Sequence, residues 1–420
     1  MNWPENEAGG FLGRGRYALA TDRPESVDAL RGVVIERTAR GEAIYPQGGR
    51  TALDYGGVPG LPGVAIDTRS LNRVIDYPAA DMTVTLEAGM TLAELRRVLA
   101  ERGQRLPLDA PEGDRATLGG IFATNASGPR RFGWGRPRDW IIGVGFVTAA
   151  GELVKGGGRV VKNVAGYDFP RLLTGSMGTL GIIVQLTLKT RPIAESTAIV
   201  WASFDRGDDA REALARLTTS ATRPTAIELL NRPAATAIGE PSGLPAAEWT
   251  IAIGFEGARE TVAWQTERLA KELNARDCRS LEADSAEALW SRLVEDSAAK
   301  RSDYEQVSIV VNARRSAVVG LALKLDSSVW GVQAHAGNGI IRAKTLRSEE
   351  PSAIEAAVSE LRRAAVEAGG NLIVSGRPEG RYEGLPIWGE PRDDWAIARR
   401  IKEAFDPRGL MNPGRFVGGI

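Results

Sequence analysis

The sequence predicts an α+β fold split into two compact regions, and three observations carry that prediction. At 420 residues the chain exceeds the size at which one hydrophobic core keeps growing. Its first part reads as strand, glycine-rich loop and strand with helices interposed. Beyond Pro192 the pattern changes to longer helices separated by apolar strands. The 49 glycines cluster in short loops with no fixed period, which excludes a collagen-like or solenoid repeat.

In chain order, Val27, Leu30, Val33 and Val34 recur at helical spacing between Ser26 and Arg40, and Gly41 ends the run. Ala43 to Tyr45 predicts a short strand, broken by Pro46-Gln47-Gly48-Gly49-Arg50-Thr51; Val64 to Asp67 and Thr83 to Leu86 supply two more. Thr91 caps the next helix, Glu94 three residues on completes a capping box, and Gly103 closes it. From Pro107 to Arg138 the chain is rich in Gly, Pro, Asn and Arg. So long an irregular stretch is no idle connector and is expected to wrap a ligand. Ile141 to Thr148 predicts a strand, Gly151-Glu152 a turn, and Leu180 to Thr190 a strand ending at Pro192. The first domain is therefore expected to span residues 1–192. Over residues 193–380 an α+β cap is expected. Its strands are Ala226 to Leu230, Thr250 to Phe255, Val307 to Val311 and Val332 to His335; its helices are Glu260 to Asn274, Ser285 to Ala299 and Pro351 to Ala368. Residues 381–420 hold a helix from Trp395 to Phe405 and a closing Asp406-Pro407-Arg408-Gly409-Leu410-Met411-Asn412-Pro413-Gly414-Arg415. That turn chemistry predicts docking instead of a frayed tail.

Composition removes several classes of function. Lys plus Arg equal Asp plus Glu at 53 each, so the broad attraction needed for nucleic acid or anionic lipid is missing. The single cysteine, Cys278, excludes an intrachain disulfide and an all-cysteine iron–sulfur or zinc site built from this chain, and fits a reducing, cytoplasmic compartment. With one histidine, His335, every two-histidine zinc site is excluded and Ser-His-Asp chemistry hangs on that position, so no metal is expected. Met1 to Arg16 lacks a charged start followed by an apolar core. No run of about eighteen apolar residues follows, so a soluble chain without a membrane span is expected.

Holding a diphosphate takes several converging backbone N–H groups, and glycines permit the close approach that side chains forbid. Pro46 to Thr51 has that character, although an ordinary turn has the same residues. A second small-residue segment runs from Pro111 and Glu112 through Thr117, Gly119 and Gly120 to Thr124, Asn125, Ser127 and Gly128. It can lie flat against a cofactor, with Thr117 and Asn125 as hydrogen-bonding groups. Gly156-Gly157-Gly158 lacks the strand-then-helix context and downstream acid of a dinucleotide fingerprint, which leaves NAD a minor alternative. A third segment, Lys162-Asn163-Val164-Ala165-Gly166-Tyr167-Asp168, leads through Gly175-Ser176-Met177-Gly178-Thr179-Leu180 to Gly181-Ile182-Ile183.

The order and spacing of these three loops resemble the FAD domain of the vanillyl-alcohol-oxidase, or PCMH-type, flavoproteins over about Ala43 to Pro192. The Lys162 to Asp168 stretch and the closing Asp406 to Arg415 are similar to the FAD-binding E-subunit family of bacterial glycolate oxidases, which extends the likeness almost end to end. The resemblance implies a PCMH-type FAD-binding domain of two α+β subdomains with an α+β cap. It implies that Pro46 to Thr51 and Pro111 to Gly120 hold the diphosphate, that Ala123 to Gly128 line the isoalloxazine, and that Gly181, Ile182 and Ile183 meet the adenine end. The closing segment, with Asn412, docks back near the FAD. Some members attach FAD through histidine or cysteine; neither lies near these loops, so FAD is expected to be non-covalent.

For chemistry, His335 in Gln333-Ala334-His335-Ala336-Gly337-Asn338 is either a satisfied polar residue at a strand end or a site group. Oxidising a 2-hydroxy acid requires a cation for the carboxylate and a base for the hydroxyl proton. Arg342 or Arg377 can be the cation, or each can be solvated or paired; the base is missing. Tyr167 and Asp168 read as flavin-side groups or as a structural turn, and Arg130, Arg131, Arg136 and Arg138 as phosphate ligands or as surface and partner contacts. The resemblance implies the FAD-binding subunit of a complex that oxidises glycolate to glyoxylate with D-type flavoprotein and iron–sulfur subunits, peripheral to the inner membrane through those partners. Two alternatives stay open: a self-sufficient dehydrogenase for D-lactate or another 2-hydroxy acid, and a non-catalytic flavin-bearing scaffold.

Overall fold

A computed structural model describes residues 9–159, 166–296, 306–378, 380–382 and 384–420. Residues 162–165 of the third segment, and the end of the helix expected to reach Ala299, lie outside the described residues. The chain forms two compact units. The first comprises Met1–Ser127, Arg136–Ile193 and Glu390–Ile420, the second Gly128–Gly135 and Ala194–Gly389.

In the first unit, Gly63–Asp67 runs parallel between Thr21–Asp22 and Ala43–Gln47. Helix Val27–Ala39 forms beside them because Ser26 caps it, its hydroxyl accepting from Ala29 N at 3.1 Å. The helix buries Leu30 and Val34 against Ile44, Val64, Ile66 and Met411. Each such fully buried side chain contributes roughly 1.5–3 kcal/mol. An antiparallel sheet of five strands has the order Leu153–Gly157, Ile141–Val147, Ile182–Lys189, Thr83–Glu87, Val74–Asp76. Helix Leu92–Ala100 carries the expected capping box: Thr91 Oγ1 accepts from Glu94 N at 3.2 Å, and Glu94 Oε2 accepts from Thr91 N at 2.8 Å.

The stretch from Pro107 to Arg138, expected to be irregular, contains three short helices: Leu118–Thr124, Arg131–Trp134 and Pro137–Trp140. The first is set by Thr117, whose hydroxyl accepts from Gly120 N at 3.3 Å, and by Asn125, which ends it in the left-handed conformation at φ 53°. Glycine propensity alone hides this helix from a sequence reading.

The second unit is built on one antiparallel sheet of eight strands. Their order is Asp277–Glu282, Ser196–Phe204, Trp249–Gly257, Ala226–Asn231, Trp330–His335, Ile340–Thr345, Ser308–Asn312, Asn371–Gly376. Ile227, Leu229, Val332, Ala334, Ile341 and Ala343 join one apolar layer with residues of helices Gly207–Leu217, Arg259–Glu272 and Pro351–Glu367. A separate layer beneath Ala226 and Leu230 takes in helices Arg232–Gly239 and Ala283–Asp296, with Trp290 fully buried. The excursion Gly128–Gly135 is fastened into this unit by Arg130, which pairs with Glu256 at 3.0 Å and stacks 4.2 Å from the Trp134 ring. Trp134 Nε1 donates to the same carboxylate at 2.9 Å. Arg130 is therefore an internal ion-pair residue and not a phosphate ligand of the first unit.

Candidate cofactor cavity and polar cluster

The first unit holds a cavity of about 1120 Å³, including its open mouth, walled by three loops and the C-terminal segment. Its first wall grows from strand Ala43–Gln47, which ends in Gly48 and Gly49. A Cβ on Gly48 would lie 2.0 Å from Thr117 Oγ1, and one on Gly49 would lie 1.7 Å from the Arg115 carbonyl oxygen. Only glycines let the two loops touch. Arg50 follows at φ 60°, with Nη2 3.8 Å from Asp67 Oδ2. Burial pushes the Asp67 carboxyl up, but the hydrogen bonds and charge of Arg69, 2.6 Å away, and the charge of Arg50 outweigh it and hold it below its ordinary value.

The second wall turns at Glu112, whose carbonyl accepts from Arg115 N at 2.8 Å and Ala116 N at 2.7 Å. Leu118 N donates to Met90 O and Gly119 N to Ala88 O, so these amides anchor the wall to the unit. The third wall is Met177, Gly178 and Gly181 to Ile183; at Gly181, φ is 153° and a Cβ would meet Val147 O at 2.7 Å. The fourth is Asn412 and Arg415. Asn412 donates through Nδ2 to Met177 O. Arg415, 4 % exposed, donates to the carbonyls of Leu53, Tyr55 and Gly57, and burial pulls its pKa down to about 10.

Of the expected cofactor residues, Pro46, Gln47, Gly48, Gly49, Arg50, Thr51, Pro111, Thr117, Gly119, Gly120, Thr124, Gly181, Ile182, Ile183 and Asn412 line the cavity. Glu112, Asn125, Ser127 and Gly128 do not. Glu112 shapes the turn and its carboxylate takes Arg115 at 2.7 Å; Asn125 is the helix C-cap; Ser127 is buried and Gly128 opens the excursion into the second unit. Met177, Gly178 and Arg415 line the cavity without having been singled out, although each stands inside a quoted motif; Leu12 and Thr68 line it with no signal in the sequence. Gln47 Oε1 is a buried acceptor with no protein partner, and Asn125 Oδ1 and Ser176 Oγ, each next to a lining residue, are two more such atoms. Such an atom costs about 1–3 kcal/mol unless a ligand or water meets it. A largely apolar cavity with glycine-tight loops and unmet polar atoms fits FAD.

The expected catalytic residues lie in the second unit. Glu228, Gln333, His335, Arg342 and Lys344 alternate with apolar neighbours on three adjacent strands, so they share the sheet face opposite the first apolar layer. His335, 1 % exposed, places Nδ1 2.8 Å from both carboxylate oxygens of Glu228, itself fully buried. A carboxylate only accepts, so Nδ1 carries the proton and Nε2 accepts from Arg342 Nε at 3.3 Å. Gln333 Nε2 fixes the carboxylate from the other side at 2.8 Å. Arg377 is not brought to this cluster by any of these bonds; it donates to the Tyr382 carbonyl. Glu228 is the residue the sequence reading missed. Tyr167 is 82 % exposed, and Asp168 caps helix Phe169–Leu173 by accepting from Arg171 N at 3.1 Å, a structural turn. Among the described residues no group of three His, Cys, Asp or Glu is placed to hold a metal, and no helix is long and apolar enough to cross a membrane.

Two family descriptions match the chain: an FAD binding domain over residues 18–157, and the FAD linked oxidases' C-terminal domain over residues 193–374 and 389–416. Among curated proteins, glycolate oxidase subunit GlcD of Bacillus subtilis (strain 168) is 26 % identical over 93 % of this chain and 87 % of its own length. Glycolate oxidase subunit GlcE of Escherichia coli (strain K12) is 27 % identical over 86 % of this chain and 89 % of its own. The mitochondrial D-lactate dehydrogenase [cytochrome] of Arabidopsis thaliana is 29 % identical over 89 % of this chain and 69 % of its own. The solved structure of an alkyldihydroxyacetonephosphate synthase superposes with a TM-score of 0.68 at 19 % identity, covering 94 % of this chain and 75 % of that one, which shows a common fold.

Proposed function

We propose, for a chain that belongs to the FAD-linked oxidases, that it is the FAD-binding subunit of a glycolate-oxidising complex, acting with a D-type flavoprotein subunit and an iron–sulfur subunit. Bound FAD supplies a two-electron acceptor for the hydrogen on the hydroxyl-bearing carbon of a 2-hydroxy acid. The chain's own residues do the rest. The Pro46 to Thr51 loop and the Asn412 to Arg415 turn hold the cofactor. In the second unit, Arg342 provides a permanent cation, held against His335 through Nε, toward which a small carboxylate is drawn. Glu228 holds His335 in one tautomer, and His335 in turn orients Arg342.

The single observation that carries the partner-dependent reading is that both nitrogens of the only histidine are engaged. A general base needs a lone pair within reach of the proton it takes, and Nε2 already accepts from Arg342. The likeness to a D-lactate dehydrogenase favours a second reading, in which this chain is itself reduced by a 2-hydroxy acid.

The test is the visible spectrum of the purified FAD-loaded chain under anaerobic conditions, before and after glycolate and then D-lactate. The expected outcome is a flavin spectrum that neither acid bleaches alone and that glycolate bleaches in the assembled complex. Bleaching of the isolated chain by either acid establishes the second reading. Arg342→Met in the complex is expected to raise the KM for glycolate at least tenfold with the FAD content unchanged; an unchanged KM removes Arg342 from carboxylate binding.

A further inference from the structure

We propose that the buried pair Lys402–Asp406 is a positioning device for the cofactor: one ammonium ties together cavity walls that lie far apart in the chain, and so sets how tightly FAD is kept. The inference rests on the reading that this cavity holds FAD.

Lys402 is 7 % exposed, and its three N–H groups are accounted for: Nζ donates to Thr179 O at 2.8 Å, to Asp406 Oδ2 at 2.6 Å and to Met411 O at 2.6 Å. Thr179 stands between Gly178 and Gly181 of the third wall, and Met411 precedes Asn412 of the fourth. Asp406, 2 % exposed, works on the same turn, with Oδ2 accepting from Met411 N at 2.7 Å and Oδ1 from Leu410 N at 3.1 Å. That turn pairs beside the first wall: Ile44 N donates to Leu410 O and Asn412 N to Ile44 O, both at 2.7 Å, two residues before Pro46 enters the cavity. Three walls thus share one fixed point, at a helix position that touches none of the cavity itself. Replacing a buried ion pair by well-packed apolar residues is often neutral for stability, so stability by itself is a weak account of this one.

The experiment separates positioning from mere stability. Wild type, Lys402→Met, Lys402→Arg and the double variant Lys402→Met/Asp406→Leu are stripped of flavin. FAD is then titrated back with quenching of its fluorescence as readout, and each apo form is melted. The double variant leaves no orphaned charge but takes the side-chain partner from Thr179 O, Met411 O, Leu410 N and Met411 N, so its apo melting temperature is expected to fall, and each variant is titrated well below its own melting temperature. Its FAD Kd is expected to rise at least tenfold, and Lys402→Arg to recover part of the affinity. A folded double variant that binds FAD with the wild-type Kd overturns the proposal. If the variants do not fold, wild-type hydrogen exchange decides. The Leu410 and Met411 amides are expected to exchange at least tenfold more slowly with FAD bound, and equal exchange overturns the proposal. A wild-type apo protein that takes up no FAD overturns instead the reading of the cavity on which the inference stands.

Discussion

Replacing Gly49 with alanine tests the diphosphate loop at the point where the geometry is least forgiving. The new Cβ would sit 1.7 Å from the Arg115 carbonyl oxygen and 2.5 Å from its carbon, and real Cβ contacts essentially never fall under 3.0 Å. Both partners are backbone, so no side chain can swing aside; one loop must move by the difference, about 1.3 Å. An N–H to phosphate bond of about 2.8 Å is stretched by such a shift to roughly 4 Å and lost. Bonds to charged groups are worth about 1.5–3 kcal/mol each, and about 1.4 kcal/mol is tenfold in affinity, so one lost bond weakens FAD roughly ten- to a hundredfold. Fluorescence titration of the apo protein reads this directly. Gly32→Ala is the control: it lies exposed in helix Val27–Ala39 with nothing within 4 Å of its Cβ. It should gain about 1 kcal/mol of stability and leave the FAD Kd alone. A Gly49→Ala protein that binds FAD as wild type does would refute the assignment of this loop to the diphosphate.

Two further outcomes follow from buried charge. Arg130→Met takes the cation from beside Glu256, which keeps its bond from Trp134, inside the second unit where the two paired side chains are 9 % and 3 % exposed; it should cost that unit about 3 kcal/mol in urea unfolding, and a loss under about 0.5 kcal/mol would show that the ion pair is not a stability determinant. Asp67 titrates below its ordinary 3.8 when folded, so its contribution is complete above that value and is lost as pH falls through the lower folded one. Asp67→Asn should therefore flatten the fall of melting temperature on acidification below about pH 4, and an unchanged acid limb would remove Asp67 from the ledger.

What the sequence made readable is what local chemistry decides. Ser26, Thr91 and Glu94 announce their helices because a cap acts on amides two or three residues away. The strand Ala226–Asn231 and its neighbours show apolar runs because they are covered on both faces. Strands Ile340–Thr345 and Asn371–Gly376 were not anticipated: the first folds back as a hairpin on Trp330–His335 but sets Arg342 and Lys344 among its apolar residues, and the second closes its ladder on Ser308–Asn312, far back along the chain. Asp277–Glu282 hid for another reason: it is the polar, half-exposed edge of the sheet, where no apolar alternation is required. Glu228 was invisible in the same way, because the partner that makes a buried acid tolerable stands 107 residues on.

The two candidate sites differ in how they store information, and that difference decides which reading is firmer. The cavity is shaped by backbone brought close through glycines, so its signature survives in a linear pattern, and fifteen expected residues line it. The polar cluster is a matter of side-chain pairing: His335 is defined by Glu228 on one nitrogen and Arg342 on the other, and neither neighbour is implied by the residues beside it. Arginine at position 342 is a permanent cation that can orient an anion but take no proton at working pH. On the proposed reading, a cluster composed this way would bind a carboxylate without taking the hydroxyl proton. Among the described residues no base is brought to it by these bonds, and the anaerobic spectrum of the isolated chain tests whether reduction by a 2-hydroxy acid needs a partner.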